Sequence, residues 1–85
     1  MSTNQDELAI IMPDVGLPGI PMTLSVWLVT VGKRVTVGDR VVEILAGDIT
    51  LDLTAKSDGI LSQQCVTEDD PVKPGQTLGQ IKLCQ

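Results

Sequence analysis

The side chains that could do chemistry in this 85-residue chain are few, and histidine is absent altogether. That removes the commonest general base and metal ligand, and with them Ser-His and Cys-His nucleophiles. Four features remain. Gly47-Asp48-Ile49 stands between two apolar-alternating runs, Glu68-Asp69-Asp70 precedes Pro71, and two cysteines (Cys65, Cys84) and four lysines (Lys33, Lys56, Lys73, Lys82) are spread along the chain. Three neighbouring carboxylates could hold a hard cation weakly, although such runs are usually solvated turns. Two cysteines without a secretory signal are read as reduced and structural. No base, metal motif or paired nucleophile is present, so the sequence predicts a non-catalytic domain.

Asp48 sits where the chain must turn. In the stretch Glu43 to Leu53, Gly47 followed by Asp48 is the signature of a two-residue hairpin of the II′ type, because glycine accepts the positive φ at the first corner. Pairing outward sets Ala46 against Ile49, Ile44 against Leu51, Glu43 against Asp52 and Val42 against Leu53. Val42, Ile44, Leu51 and Leu53 then share one face. The other face brings Glu43 to Asp52, a like-charge pair expected to be mildly destabilising on an acidic outer surface.

The rest of the chain must hold that hairpin. Eighty-five residues allow one small core. Ten Val, seven Ile and eight Thr against one Trp and no Phe or Tyr favour strands, and the fold class is all-β. Residues 1–7 read as a disordered, solvated leader and 8–85 as a single domain. Leu8 to Met12 is a strand stopped by Pro13, and Trp27 is a packing residue. The loop from Asp14 to Pro21 carries two Gly and two Pro; its Val15, Leu17 and Ile20 either contact a protein partner or cap the core.

An internal duplication organises the molecule. At a fixed offset of 37 positions Leu24, Ser25, Val29, Thr30, Val35, Gly38 and Ile44 meet identical residues at Leu61, Ser62, Val66, Thr67, Val72, Gly75 and Ile81. One duplication implies two quasi-equivalent halves interlocked around a common core. The hairpin links them as a single protrusion.

The net charge of −5, with scattered basic residues, argues against nucleic acid or an anionic membrane as partner. No apolar run approaches the length of a spanning helix, and no signal peptide is read, so a cytoplasmic protein is expected.

The runs MPDVG at 12–16, VWLVTVGKRVTVGDRVVEI at 26–44, SDGIL at 57–61 and VKPGQTLGQI at 72–81 resemble the biotinyl/lipoyl swinging-arm domains. They are most similar to the lipoyl domains of 2-oxo acid dehydrogenase acyltransferase subunits. The resemblance covers about residues 9–83, and its most specific part is Trp27-Leu28-Val29 followed by Gly32, Val35, Gly38-Asp39 and Glu43. It implies a flattened β-barrel or sandwich of two four-stranded antiparallel sheets with quasi-twofold symmetry, the hammerhead fold. It also implies protein partners in a multienzyme complex, with the isolated domain monomeric.

In the resembled domains a lysine at the hairpin tip, in Asp-Lys-Ala or Met-Lys-Met, carries lipoate or biotin through an amide. Aligned through Glu43 and Gly59 that position falls on Asp48, flanked by Gly47 and Ile49. A carboxylate cannot take the acyl group, because the chemistry needs a nucleophilic nitrogen. Lys56, eight residues on, is the nearest amine in sequence. The expectation is a lipoyl-like domain with no attached cofactor, serving as a protein-binding or structural module. The alternatives are a working lipoyl carrier in which Asp48 is an altered acceptor site, and an adaptor of the kind found in membrane-fusion proteins.

Overall fold

Backbone hydrogen bonds repeat across the molecule at the spacing of the sequence duplication. The computed structural model describes residues 6–16 and 18–83. In it Gly32 N donates to Leu61 O at 2.8 Å and Asp69 N to Leu24 O at 2.7 Å, each residue displaced from its counterpart by 37. Leu28 N to Val41 O (2.9 Å) is likewise matched by Cys65 N to Leu78 O (2.8 Å). Even side chains obey the rule. Trp27 Nε1 donates to Val66 O at 2.8 Å, and Gln64 Nε2 donates to Val29 O at 3.0 Å.

Among the described residues seven strands result: β1 (Glu7–Ile11), β2 (Met22–Trp27), β3 (Arg34–Val35), β4 (Arg40–Ala46), β5 (Ile49–Thr54), β6 (Gly59–Gln64) and β7 (Thr77–Leu83). They form two antiparallel sheets, ordered β1-β7-β6-β3 and β2-β4-β5. The all-β fold and its two-sheet layering are as expected. The second sheet differs, because its fourth strand is reduced to one bridge between Thr23 and Pro71. That bridge is the counterpart of the β3–β6 pair Arg34 and Ile60, shifted by 37. Both bonds that flank the bridge are made, Leu24 N to Asp70 O and Val72 N to Met22 O at 2.9 Å each, so residue 71 turns its backbone away from β2 and a proline is accommodated at this edge without loss of a ladder bond.

Between the sheets lies one apolar core built largely from duplicated positions. Leu24 and Leu61, Val35 and Val72, Val41 and Leu78, and Ile44 and Ile81 are all buried, each with its counterpart. Burial of aliphatic side chains at roughly 1.5–3 kcal/mol each is the main force holding the halves together. Trp27 breaks the symmetry. Its counterpart is the smaller Gln64, and its ring reaches Gly79, where a Cβ would lie 2.9 Å from the indole Cη2. The position equivalent to Gly79 in the first half is the buried Val42. Trp27 is half-buried and packs against the core, as its sequence context implied.

Asp69 has φ of +74°, and its counterpart Gly32 has φ of +97°. Left-handed backbone costs an L-residue roughly 1–2 kcal/mol, less for aspartate, and glycine nothing beyond its larger unfolded-state entropy. Asp69→Gly is therefore expected to raise unfolding free energy by about 0.5 kcal/mol. Urea denaturation checks this, and a loss of stability would show that the Asp69 carboxylate contributes more than its backbone strain removes.

The strand expected at Leu8 to Met12 runs one residue earlier, Glu7–Ile11. Of the leader assigned to 1–7, residues 1–5 lie outside the described residues, and Glu7 is already paired with Lys82. Among the described residues no helix is long and apolar enough to cross a membrane.

Candidate functional site

The β4–β5 hairpin has the register that its turn dictates: Ala46 opposite Ile49, Leu45 opposite Thr50, Ile44 opposite Leu51, Glu43 opposite Asp52 and Val42 opposite Leu53. Gly47 has φ of +61°, and Asp48 is not among the residues with positive φ, which is the pattern of a II′ turn. Gly47, Asp48 and Ile49 are all exposed, Ile49 at 53%. Glu43 faces Asp52 as expected, but the outer face is not purely acidic. Arg40 Nη1 donates to Asp52 Oδ2 at 3.1 Å, which offsets the like-charge contact. Sequence reasoning counted Arg40 among scattered cations; its place one turn of the pleat from Asp52 follows only from the register.

The loop after β1 leans on the tip. Pro21 O accepts from Gly47 N at 3.4 Å, and a Cβ placed on Gly47 would lie 3.3 Å from Ile20 Cγ2. The duplication shows how unusual this loop is. Gly38 N donates to Ala55 O and Gly75 N to Met12 O, so Met12 and Ala55 are equivalent, as are Met22 and Gly59 by the 37-residue offset. Residues 56–58 span that interval in one half and residues 13–21 in the other, three against nine. The longer segment ends at Ile20 and Pro21, next to Gly47.

Within that loop the three apolar residues behave differently. Val15 is half-buried and packs against the core, Ile20 is 41% exposed beside Gly47, and Leu17 lies outside the described residues. A cavity of about 680 Å³ opens between the loop and the segment 71–74, lined by Val15, Ile20, Met22, Pro71 and Pro74 with Lys73 at its edge. The lysines are therefore not placed as sequence distance implied. Lys56 lies beyond the far end of β5, beside a second cavity of about 320 Å³ with Leu8, Ile10 and Leu53. Val72 N donates to Met22 O, and Met22 pairs with Ala46, so Lys73 lies roughly two strand spacings, about 10 Å, from the hairpin end. Sequence separation could not reveal this, because it depends on the bridge at Pro71.

The acidic run is a hydrogen-bonded turn. Asp70 Oδ2 accepts from Thr67 Oγ1 at 2.6 Å and from Thr67 N at 3.2 Å, and Glu68 Oε2 accepts from Trp27 N at 3.4 Å. Among the described residues no group of three or more His, Cys, Asp or Glu gathers as a metal site. Cys65 is a free, exposed thiol in the segment after β6, and Cys84 lies outside the described residues.

A family model described as biotin-requiring enzyme, the biotinyl/lipoyl group, matches residues 9–81. The chain belongs to the biotinyl/lipoyl domain family. A solved structure, the lipoyl domain of the 2-oxoglutarate dehydrogenase complex from Azotobacter vinelandii, is similar at a TM-score of 0.68 and 25% identity, covering 91% of this chain and 98% of that one. No curated protein matches the sequence. In this biotinyl/lipoyl domain the exposed β4–β5 tip carries Asp48.

Because position 48 is exposed and its backbone is not left-handed, Asp48→Lys should change stability by no more than roughly 0.5 kcal/mol. Thermal unfolding of the two proteins checks it.

Proposed function

We propose that this is a lipoyl-type domain that is not acylated and that works by binding protein partners within an assembly of the 2-oxo acid dehydrogenase type, in the cytoplasm. The observation that carries the reading is the tip itself. Gly47-Asp48-Ile49 is exposed at the end of a well-registered hairpin and offers a carboxylate where the acyl-transfer chemistry needs an amine. Neither Lys56 nor Lys73 stands on the tip. Ile20, exposed near Gly47, and Ile49, exposed next to Asp48 in the chain, supply the apolar contact area of a docking surface, and the sequence puts Val15 and Leu17 in the same loop as Ile20. A domain of this kind has no turnover of its own.

The test is intact mass after expression with a lipoate ligase. No gain in mass is expected of the unaltered chain, and a lipoyl group on any lysine, Lys56 or Lys73 included, would overturn the reading. A second reading is favoured by the match to the Azotobacter vinelandii lipoyl domain over 98% of its length: a lipoyl carrier with Asp48 as an altered acceptor site. If that is so, Asp48→Lys alone restores acylation at the rate of an ordinary lipoyl domain.

A further inference from the structure

Residues that oppose one another in antiparallel strands share a face, and the register sets Glu7, Lys82, Ile60 and Arg34 in one row across β1, β7, β6 and β3. Their chain neighbours Val35, Leu61 and Ile81 are buried, so the row lies on the outer surface of this sheet. All four residues are exposed, Ile60 at 39%. Arg34 and Lys82 flank Ile60 on strands about 10 Å apart, and Lys33, next to Arg34 in the chain, is a third exposed cation. Among the described residues the ion pair is that of Arg40 with Asp52, and Lys33, Arg34 and Lys82 belong to none. Glu7 stands opposite Lys82 without an ion pair to it.

The duplication provides the comparison. On the other outer face the equivalent row is Thr50, Leu45, Thr23 and Pro71, and the counterpart of Lys33 is Asp70. The fold therefore accepts uncharged residues along the whole row, and packing does not require Arg34 or Lys82. One row further on, Glu43 and Asp52 occupy the sites that Gln80 and Ala9 fill in the first sheet. The two outer faces have diverged in charge: one is basic around an exposed isoleucine, the other acidic and relieved by Arg40.

We propose that the outer face of β7, β6 and β3 docks an acidic polypeptide segment, its carboxylates meeting Arg34, Lys82 and Lys33 and an apolar residue among them covering Ile60. The Arg34 guanidinium presents the planar fork that a carboxylate accepts in bidentate fashion. Three cations release too few counterions to hold a nucleic acid firmly, and the net charge of −5 repels any long polyanion. A short segment meets this face within a screening length of about 8 Å, where the local cations outweigh the distant acids. Ile60 favours polypeptide as well, because a phosphate backbone offers nothing to bury it, whereas a leucine between carboxylates does. The face belongs to the sheet that does not contain the β4–β5 hairpin, so the inference goes beyond the reading built on the tip and does not depend on it.

The experiment titrates isotope-labelled full-length protein with a synthetic peptide of glutamates interrupted by leucines and follows the amide NMR spectrum. Saturable shifts are expected at Arg34, Ile60 and Lys82 and not at Asp48, with a Kd on the order of 0.1 mM. Arg34→Gln combined with Lys82→Leu, the latter the residue of the equivalent site, should weaken binding about ten-fold. Ile60→Thr, again the equivalent residue, should weaken it about three-fold. Lys56→Gln with Lys73→Gln removes the same net charge elsewhere and should leave the affinity within about two-fold. Absence of saturable binding overturns the proposal, as do shifts confined to Gly47, Asp48 and Ile49. Equal losses in the two double variants overturn it too, since the attraction would then be one of net charge alone. An unchanged affinity in Ile60→Thr removes the apolar anchor, and a labelled oligothymidylate that binds as tightly as the peptide overturns the choice of polypeptide. Acylation of the unaltered chain, which decides the functional reading, has no bearing on any of these outcomes.

Discussion

Leu24→Ala and Leu61→Ala are each expected to lower the unfolding free energy by about 3 kcal/mol or more, and by amounts that agree to within about 1 kcal/mol. Both leucines are 0% exposed and occupy equivalent places in the two halves, facing one shared core. Removing three heavy atoms from either leaves a cavity that the surrounding strands, already tied by ladder bonds, can close only in part. A domain of this length holds roughly 4–13 kcal/mol in all, so each substitution removes a large fraction. Urea midpoints at unchanged slope would measure it. A difference above about 2 kcal/mol between the two would mean that the halves are unequal in packing despite their matched hydrogen bonds.

Gly59→Ala should be nearly as damaging, at about 2–3 kcal/mol. The backbone of Gly59 is not left-handed, so the cost is steric alone. A Cβ there would overlap the Lys82 carbonyl oxygen and lie 2.7 Å from Ile81 Cγ2, and since the first is main chain of β7, the strand must shift. Gly38→Ala provides the contrast. Gly38 has φ of +94° with nothing within 4 Å of its would-be Cβ, so only the backbone penalty of about 1 kcal/mol applies. Calorimetry should show a fall in melting temperature at least twice as large for Gly59→Ala. Equal falls would mean that β7 moves aside at little cost.

Much of this architecture is written locally or in repetition, and those parts are legible. The hairpin register follows from a two-residue turn, because once Gly47 and Asp48 are the corners every cross-strand partner out to Val42 and Leu53 is determined, beyond which a bulge sets Arg40 against Thr54. The duplication made the quasi-twofold pairing and the core legible, since identical residues at one offset must fill equivalent sites. What could not be read is non-local. The seat of Ile20 near Gly47 and the approach of Lys73 to the hairpin end depend on how separate elements come together, and the pairing of Arg40 with Asp52 depends on the bulge between Arg40 and Val42. Local propensity carries no record of such contacts. The candidate site was thus legible as a position, Asp48 at an exposed tip, and not as an environment.

β5 leaves the tip at Ile49 and runs six residues to Thr54, a path of roughly 20 Å. Beyond the following bend Gly59 pairs with Leu83, and Glu7 lies opposite Lys82, so both described ends of the chain emerge at the pole remote from Gly47. Anything joined to either end would therefore pull on the domain from behind. A tether there sets how far Asp48 can travel and how often it meets a surface, as the root-mean-square span of a flexible linker grows with the square root of its length. What the tip recognises when it arrives is unaffected, so reach and selectivity can be changed independently of one another.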